Sequence, residues 1–396
     1  MAMTMAELKD YRTHLFHDAC DFNHPDRLPH LGAYITWKII DYGCKFSEAF
    51  NDYELMEKVV RQFVERYPVD ALMDVGVRNS FNVMEAFGEK GFYYYDDDAE
   101  VVGVHPYEIA PIEDLEEYVA DPTKYIWTKA LPRKFGQEAW ESKTLEVWQK
   151  TWDENMKFSA FGGHINKVLA EEYGLPGLSS PIYGFVTPFI ETLFGSVRGI
   201  RGLSIDLRRN ADKIKAAVET MDAKGIKAVT QKILDGDENH DYNACFDLSL
   251  MMLSHTILNL KNFEEIYWPS LGPFIAACET KHKNLRITAE GAIMRFSDYF
   301  KDLKRGTLTL LLEQDDIFEF RKLLPNVAFV GGMPSTVLGM GTKEECLEIT
   351  RKLCNEIPVD GGGYIYSTDK FISYRNDAKA ENVKACCDFI EEFRCK

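Results

Sequence analysis

The sequence predicts an α/β protein built on a parallel sheet with helical crossovers, and three observations in its last hundred or so residues carry that reading. Residues 285–291, 308–315 and 327–332 are short apolar runs that each end in polar residues or glycine and lead into a loop or helix. A fourth run at 363–369 follows one more helix. Continuous runs of this kind suit strands buried on both faces, as in a parallel sheet covered by helices. Carboxylates stand at their ends: Glu290, then Glu313 with Asp315, then Asp369. Parallel α/β folds gather their chemistry at the C-terminal ends of the strands, so these acids are the first candidates for function.

The other elements follow in chain order. Residues 47–67 predict one amphipathic helix, with apolar pairs at Leu55/Met56, Val59/Val60 and Phe63/Val64, ending before Pro68. Residues 70–76 read as the first strand, with Arg78 and Asn79 in the loop beyond it. Residues 1–67 then form an N-terminal helical extension. Residues 89–170 are the least regular part, an aromatic and acidic tract followed by a helix carrying Trp140, Trp148 and Trp152. They are taken as an insertion covering the mouth of the strands, with an exposed loop as the alternative. Residues 205–236 and 261–282 are helical in pattern. Thr342 with Glu345 three residues on forms a capping box, and Cys346, Ile349, Leu353 and Ile357 recur behind it on one face. A last helix buries Val383, Cys386, Ile390 and Phe393.

Composition narrows the class. A chain of 396 residues, 45% hydrophobic, holds two or three ordinary domains or one barrel with embellishments, and no linker favours a split. Lys and Arg number 46 against 63 Asp and Glu, a formal charge of −17, which argues against nucleic acid and anionic membrane as partners. Nine cysteines without a Cys-x-x-Cys pair fit reduced core residues of a cytoplasmic protein. Neither a signal peptide nor a run of membrane-spanning length is expected, and a homo-oligomer is compatible with everything above. Phosphate-loop, serine-elbow, zincin and dinucleotide-binding signatures are all absent.

The order of further segments resembles the uroporphyrinogen decarboxylase superfamily. Asp26-Arg27-Leu28-Pro29, Tyr67-Pro68-Val69-Asp70-Ala71 and Glu85-Ala86-Phe87-Gly88 are similar to its front half, and the stretch from Pro181 through Tyr183 to Phe189 to its centre. Phe263-Glu264-Glu265-Ile266-Tyr267-Trp268-Pro269 follows in order, and Gly331-Gly332-Met333-Pro334 with Gly341-Thr342-Lys343 resembles its close. The resemblance covers nearly the whole chain and rests on order and spacing. It implies a single (β/α)8 TIM barrel and two kinds of chemistry: cofactor-free decarboxylation of tetrapyrrole acetate arms, or methyl transfer involving corrinoids, usually with zinc.

Decarboxylases of the family clamp their substrate with N-terminal arginines and an aspartate beyond the first strand. Here Arg27 stands without further arginines, and Val77 occupies the aspartate's place. Tetrapyrrole decarboxylation is therefore the alternative. Thiol-methylating members bind zinc through His-x-Cys and a later cysteine, positions that here read Ala289-Glu290-Gly291 and Ser367-Thr368-Asp369. Ether-cleaving members use glutamates and a histidine; Glu290 matches one, while Ile275 and Leu311 occupy the others. One ligand of three does not make a zinc site.

The reading taken forward is a methyltransferase of the O-demethylase type, serving anaerobic one-carbon metabolism. It moves a methyl group from a small methoxylated or otherwise methylated donor to the cobalt of a separate corrinoid (cobalamin) protein. Glu290 is the acid for the departing oxygen and Asp74 its ionised neighbour. Arg78, Asn79, Tyr183, Glu313, Asp315 and His255 surround the substrate, and Asp369 is a weaker candidate. Glu290 and Glu313 can instead pair with Arg286, Arg295 or Arg321 on the rim. A catalytically silent ligand-binding barrel is the third reading.

Overall fold

The structure is a computed structural model that describes residues 3–76, 80–88, 93–105, 107–183 and 185–395. It is a mixed α/β protein. Its largest sheet is wholly parallel and runs in the order β11-β10-β9-β8-β7, from Tyr364–Thr368 (β11) through Ala328–Met333 (β10), Leu308–Leu312 (β9) and Leu285–Ala289 (β8) to Leu248–Met252 (β7). All four terminal apolar runs are strands of this sheet. Two further parallel pairs flank it: Leu31–Gly32 (β1) with Ala71–Leu72 (β2), and Gly177–Ser179 (β5) with Ala244–Phe246 (β6). His30 bridges Tyr366 of β11 and Phe185 bridges Ser249 of β7, so both pairs attach to the edges of the large sheet.

The expectation that residues 70–76 hold the first strand is corrected here. β1 precedes them, and the amides of Asp70 and Met73 reach back to the carbonyls of His30 and Gly32 at 2.9 Å. β1 is too short to show a period, so local pattern carries no sign of it. The helix expected over 47–67 is two helices, Phe46–Asn51 and Tyr53–Arg66. Asp52 divides them by capping the second, accepting from the amides of Glu54 at 2.9 Å and Leu55 at 3.1 Å.

Within 89–170 there is more order than the pattern suggested. Tyr93–Asp96 (β3) and Val101–Val104 (β4) form an antiparallel hairpin whose turn is tied by Asp96 Oδ1 to the amides of Asp98 and Ala99. Behind it runs the helix Leu145–Tyr173, 29 residues long, begun by Thr144 as its cap and ended by Gly174 at φ 62°. Trp140 and Trp148 pack with Phe87 and Phe135 at its start. The capping box expected at Thr342 is present, with the Thr342 amide on Glu345 Oε2 at 2.7 Å and the Glu345 amide on Thr342 Oγ1 at 3.2 Å.

Alternation along the strands separates two cores. Leu250, Ile287, Leu310, Leu312, Phe329 and Tyr364 face the helical layer. Leu31, Ala71, Phe246, Leu311, Val330 and Ile365 form a second cluster on the other face, closed at one end by Phe16, Ala19 and Cys20 of the helix Met5–Asp21. Each large aliphatic side chain so buried stabilises by about 1.5–3 kcal/mol, which is why both faces of these strands are apolar.

Candidate functional site

Register brings the strand ends together. Met252 pairs with Ala289, Ala289 with Leu312, Leu312 with Gly331, and Met333 with Thr368. The residues that follow each strand therefore emerge on one edge: Glu290, Glu313, Asp315 and Asp369, joined by Asp74 after β2. Glu290 is half-buried, and its amide donates to the Met252 carbonyl at 3.1 Å. Glu313 Oε2 accepts from the Gly291 amide and Asp315 Oδ2 from the Ile293 amide, both at 2.6 Å. These two acids brace the turn that carries Glu290. Burial raises the Asp315 carboxyl above its ordinary range, and it does the same for Asp369, whose Oδ1 accepts from the Ser335 amide at 3.0 Å. Arg78 and Asn79 lie outside the described residues.

Asp74 has a partner that sequence reading missed. Lys38, with 1% of its side chain exposed, extends from the helix Trp37–Tyr42 and places Nζ 2.5 Å from the Asp74 carbonyl and 3.8 Å from Oδ1. Burial pulls its ammonium below the usual lysine range, and Asp74 counters that. The signal was present as one charge inside the otherwise apolar run Trp37-Lys38-Ile39-Ile40. Beside Asp74 lies a cavity of about 290 Å³, bounded by Met73, Val75 and Gly76 and by Phe158, Phe161 and Ile165 of the long helix. A segment read as an insertion thus walls the space next to a candidate acid.

His255 follows β7 and is fully buried, with no hydrogen-bond partner at either ring nitrogen among the described residues. Burial first, and the nearby Arg295 second, hold its imidazole down at about 4, so the ring is neutral at pH 7. Arg295 donates to the His255 carbonyl. The turn is held from below by Glu191, which is buried and accepts from the Leu253 amide at 2.9 Å, the Ser254 amide at 3.0 Å and Ser254 Oγ at 2.8 Å. Burial raises the Glu191 carboxyl nonetheless.

Tyr183 goes elsewhere. It lies among Lys232, Gly236 and His240, with the Lys232 ammonium 5.4 Å above its ring, in a cavity of about 470 Å³ that Asp241 and Lys283 also line. Those residues belong to the opposite ends of the strands. Of the arginines considered as rim partners, Arg286 bonds Ser249 and Thr288, Arg295 bonds the His255 carbonyl, and Arg321 bonds the carbonyls of Val327 and Gly363.

At those opposite ends polar groups close on one another. Arg27 forks onto Asp70, Nη1 to Oδ2 at 2.7 Å and Nη2 to Oδ1 at 2.5 Å, while Arg12 and the His30 amide take up the same carboxylate. His240 bridges Asp247 at 2.7 Å and Asp21 at 2.9 Å; burial opposes its charge, yet the two carboxylates lift it to about 9. His17, His240 and Asp247 are the one group of three metal-type donors close enough to share an ion among the described residues. Their donor atoms are already occupied, His17 between the Ala244 carbonyl and Asn284 and His240 between its two acids. The positions where the resemblance would place companions to Glu290 hold Ile275, within the helix Trp268–Thr280, and Leu311 of β9, at 1% and 3% exposure in the apolar cores. Neither side chain can ligate a metal.

No protein-family model matches the chain. No curated protein matches it in sequence either. In structure, 96% of the chain superposes on 98% of a methyltransferase from Methanosarcina mazei, with a TM-score of 0.59 at 13% sequence identity. At that identity the likeness is one of fold, and it runs from end to end of both chains.

Proposed function

We propose that this chain is a methyltransferase that moves a methyl group from a small methylated donor to the cobalt of a separate corrinoid protein. The observation that carries the reading is the end-to-end likeness to a methyltransferase. In this reading β1, β2, β5, the β6–β7 run and β8 to β11 close into a (β/α)8 barrel. The bridges at its seams support closure, as does the inner cluster, which takes Leu31, Ala71, Phe246, Leu311, Val330 and Ile365 from around the ring. The segment 89–170 then covers the mouth, which the wall contributed by Phe158 and Phe161 supports.

The corrinoid supplies the cobalt nucleophile; this chain binds the donor, orients the methyl carbon and manages one proton. Glu290 delivers a proton to the departing oxygen, held in place by a turn that Glu313 and Asp315 brace. Asp74 is the second catalytic carboxylate, with the Lys38 ammonium 3.8 Å from its Oδ1. The tetrapyrrole alternative needs a cluster of free cations, and Arg27 is instead closed on Asp70 at the far end of the strands. The test is a screen of methylated compounds with a reduced corrinoid protein, followed by absorbance for methylation of cobalt. Transfer from at least one donor is expected; no methylated corrinoid from any donor would overturn the reading in favour of a silent barrel.

A further inference from the structure

Arg286 stands where an arginine is least expected, inside a strand whose neighbours are buried on both faces. Its residue is 4% exposed, and its alternation places it on the face that carries Leu311, Val330 and Ile365. Two of its nitrogens are committed, Nε to Ser249 Oγ at 3.2 Å and Nη1 to Thr288 Oγ1 at 2.9 Å, and the guanidinium lies 5.5 Å from the centre of the Phe246 ring. Ser179 in turn bonds Ser249. These partners are all neutral. Among the described residues no carboxylate pairs with Arg286, in contrast to the buried Arg27 and Arg198, which hold acids; Arg321, also buried without an acid, is taken up by the carbonyls of Val327 and Gly363. Burial without a counter-charge pulls the guanidinium down to about 10, so it still carries its charge at pH 7.

A buried cation without an anion is an unfavourable arrangement, and an anionic ligand would relieve it. The direction of the side chain tells where that ligand comes from. Nη1 reaches Thr288, two residues nearer the C-terminal end, so the fork points toward the acidic edge and leaves Nη2 without a protein acceptor among the described residues. Met73 and Met251, which border this face toward the C-terminal ends, are only partly buried, whereas Ala71 and Ser249 beneath them are closed. Glu290 lies on the same strand face, two residues (about 7 Å) beyond Thr288.

We propose that Arg286 binds the carboxylate of a small monoanionic substrate at the floor of the site, leaving the rest of that substrate to extend up the strand toward Glu290. The ligand carries one charge because a single guanidinium neutralises one. A dianion would bring excess charge beneath an edge that already gathers Asp74, Glu313, Asp315 and Asp369. A planar carboxylate also matches the fork, with Ser249 and Thr288 holding the plane. This deepens the methyltransferase reading and rests on it only for the identity of the group beyond the carboxylate.

The experiment titrates the protein, with no corrinoid present, with acetate and benzoate and with the neutral acetamide and benzamide, at constant ionic strength, by calorimetry and thermal melting. Saturable binding of at least one carboxylate, absent for its amide, is expected. Arg286→Met should weaken it about 10²-fold while leaving the ligand-free melting temperature equal or higher, since an apolar side chain relieves a buried unpaired charge. Arg286→Lys should keep the charge, lose the fork and bind about 10-fold more weakly. Equal binding of acid and amide, unchanged binding in Arg286→Met, or an Arg286→Met protein that no longer folds would each overturn the proposal; the last would mark the arginine as a support of the core. Because no methyl transfer is read, carboxylate binding without activity would sink the methyltransferase reading and spare this one.

Discussion

At the N-terminal ends of the strands, Asp70 receives Arg27, Arg12 and the His30 amide, and Asp247 receives His240 and the amides of Asp241 and Asn284. At the C-terminal ends and on the face below them, among the described residues, Arg286 pairs with no acid, the His255 ring nitrogens have no hydrogen-bond partner, and Lys38 is buried 3.8 Å from its nearest carboxylate oxygen. Among the described residues, the acids of the first end are thus answered, with the buried Arg321 held there by backbone carbonyls alone, while the second end keeps several groups whose charge or donors are unanswered. Saturated polar networks stabilise and specify a fold, whereas unanswered ones raise its energy and persist where a ligand uses them. The difference is what the proposed function turns on: in that reading the first end holds the protein together and the second carries the site.

The largest expected effect lies at the acting end. Glu290→Gln should lower single-turnover methyl transfer by about 10²–10⁴-fold with ligand affinity and melting temperature nearly unchanged. The loss should shrink for donors whose leaving group needs no proton. A small loss, flat across leaving-group basicity, would remove Glu290 from the mechanism and blur the contrast between the ends.

Asp70→Ala should do the reverse: activity per folded molecule is retained while stability falls by about 3–5 kcal/mol, because Arg27 is left buried without its acid. Denaturant unfolding measures it. A loss of under about 1 kcal/mol would mean that the closed network contributes little.

Acid and alkali should find different residues. His30 and His255 are held at about 4 by burial, so the stability tied to their neutral rings is present above about 6.5 and lost as pH falls through 4, up to about 3 kcal/mol each. His240, lifted to about 9 by Asp21 and Asp247 against its burial, works oppositely: its contribution is complete below about 6.5 and lost as pH rises through 9. Melting curves of the wild type and His240→Gln between pH 4 and pH 10 should diverge least on the alkaline side. Curves separated by the same amount at every pH would refute the assignment.

The smallest effect is local. Thr342→Ala should cost about 0.5–2 kcal/mol through loss of the capping box, with no change in any transfer rate.

How much was legible follows from the range of each interaction. The terminal strands could be read because β8 to β11 are apolar on both faces, and the Thr342 box because its two partners are three residues apart. The acids after the strands were found from the same pattern. β1 escaped because two residues show no period, and the break at Asp52 because a cap inside an amphipathic stretch leaves the apolar spacing intact. Arg286 was visible as a letter and misplaced as a rim residue, since nothing local says whether a strand arginine points inward.

Taken alone, the sequence determined the parallel α/β class, the acidic character of the chain and the set of carboxylates that follow the strands, because each depends on periodicity or composition over a few neighbouring residues. Only the tertiary structure decided which charges are answered. Arg27 meets Asp70 across 43 positions, while Arg286 and Lys38 find their surroundings through strand register and helix packing. Pairing across such separations is set by how the strands assemble, and one-dimensional pattern carries no record of it.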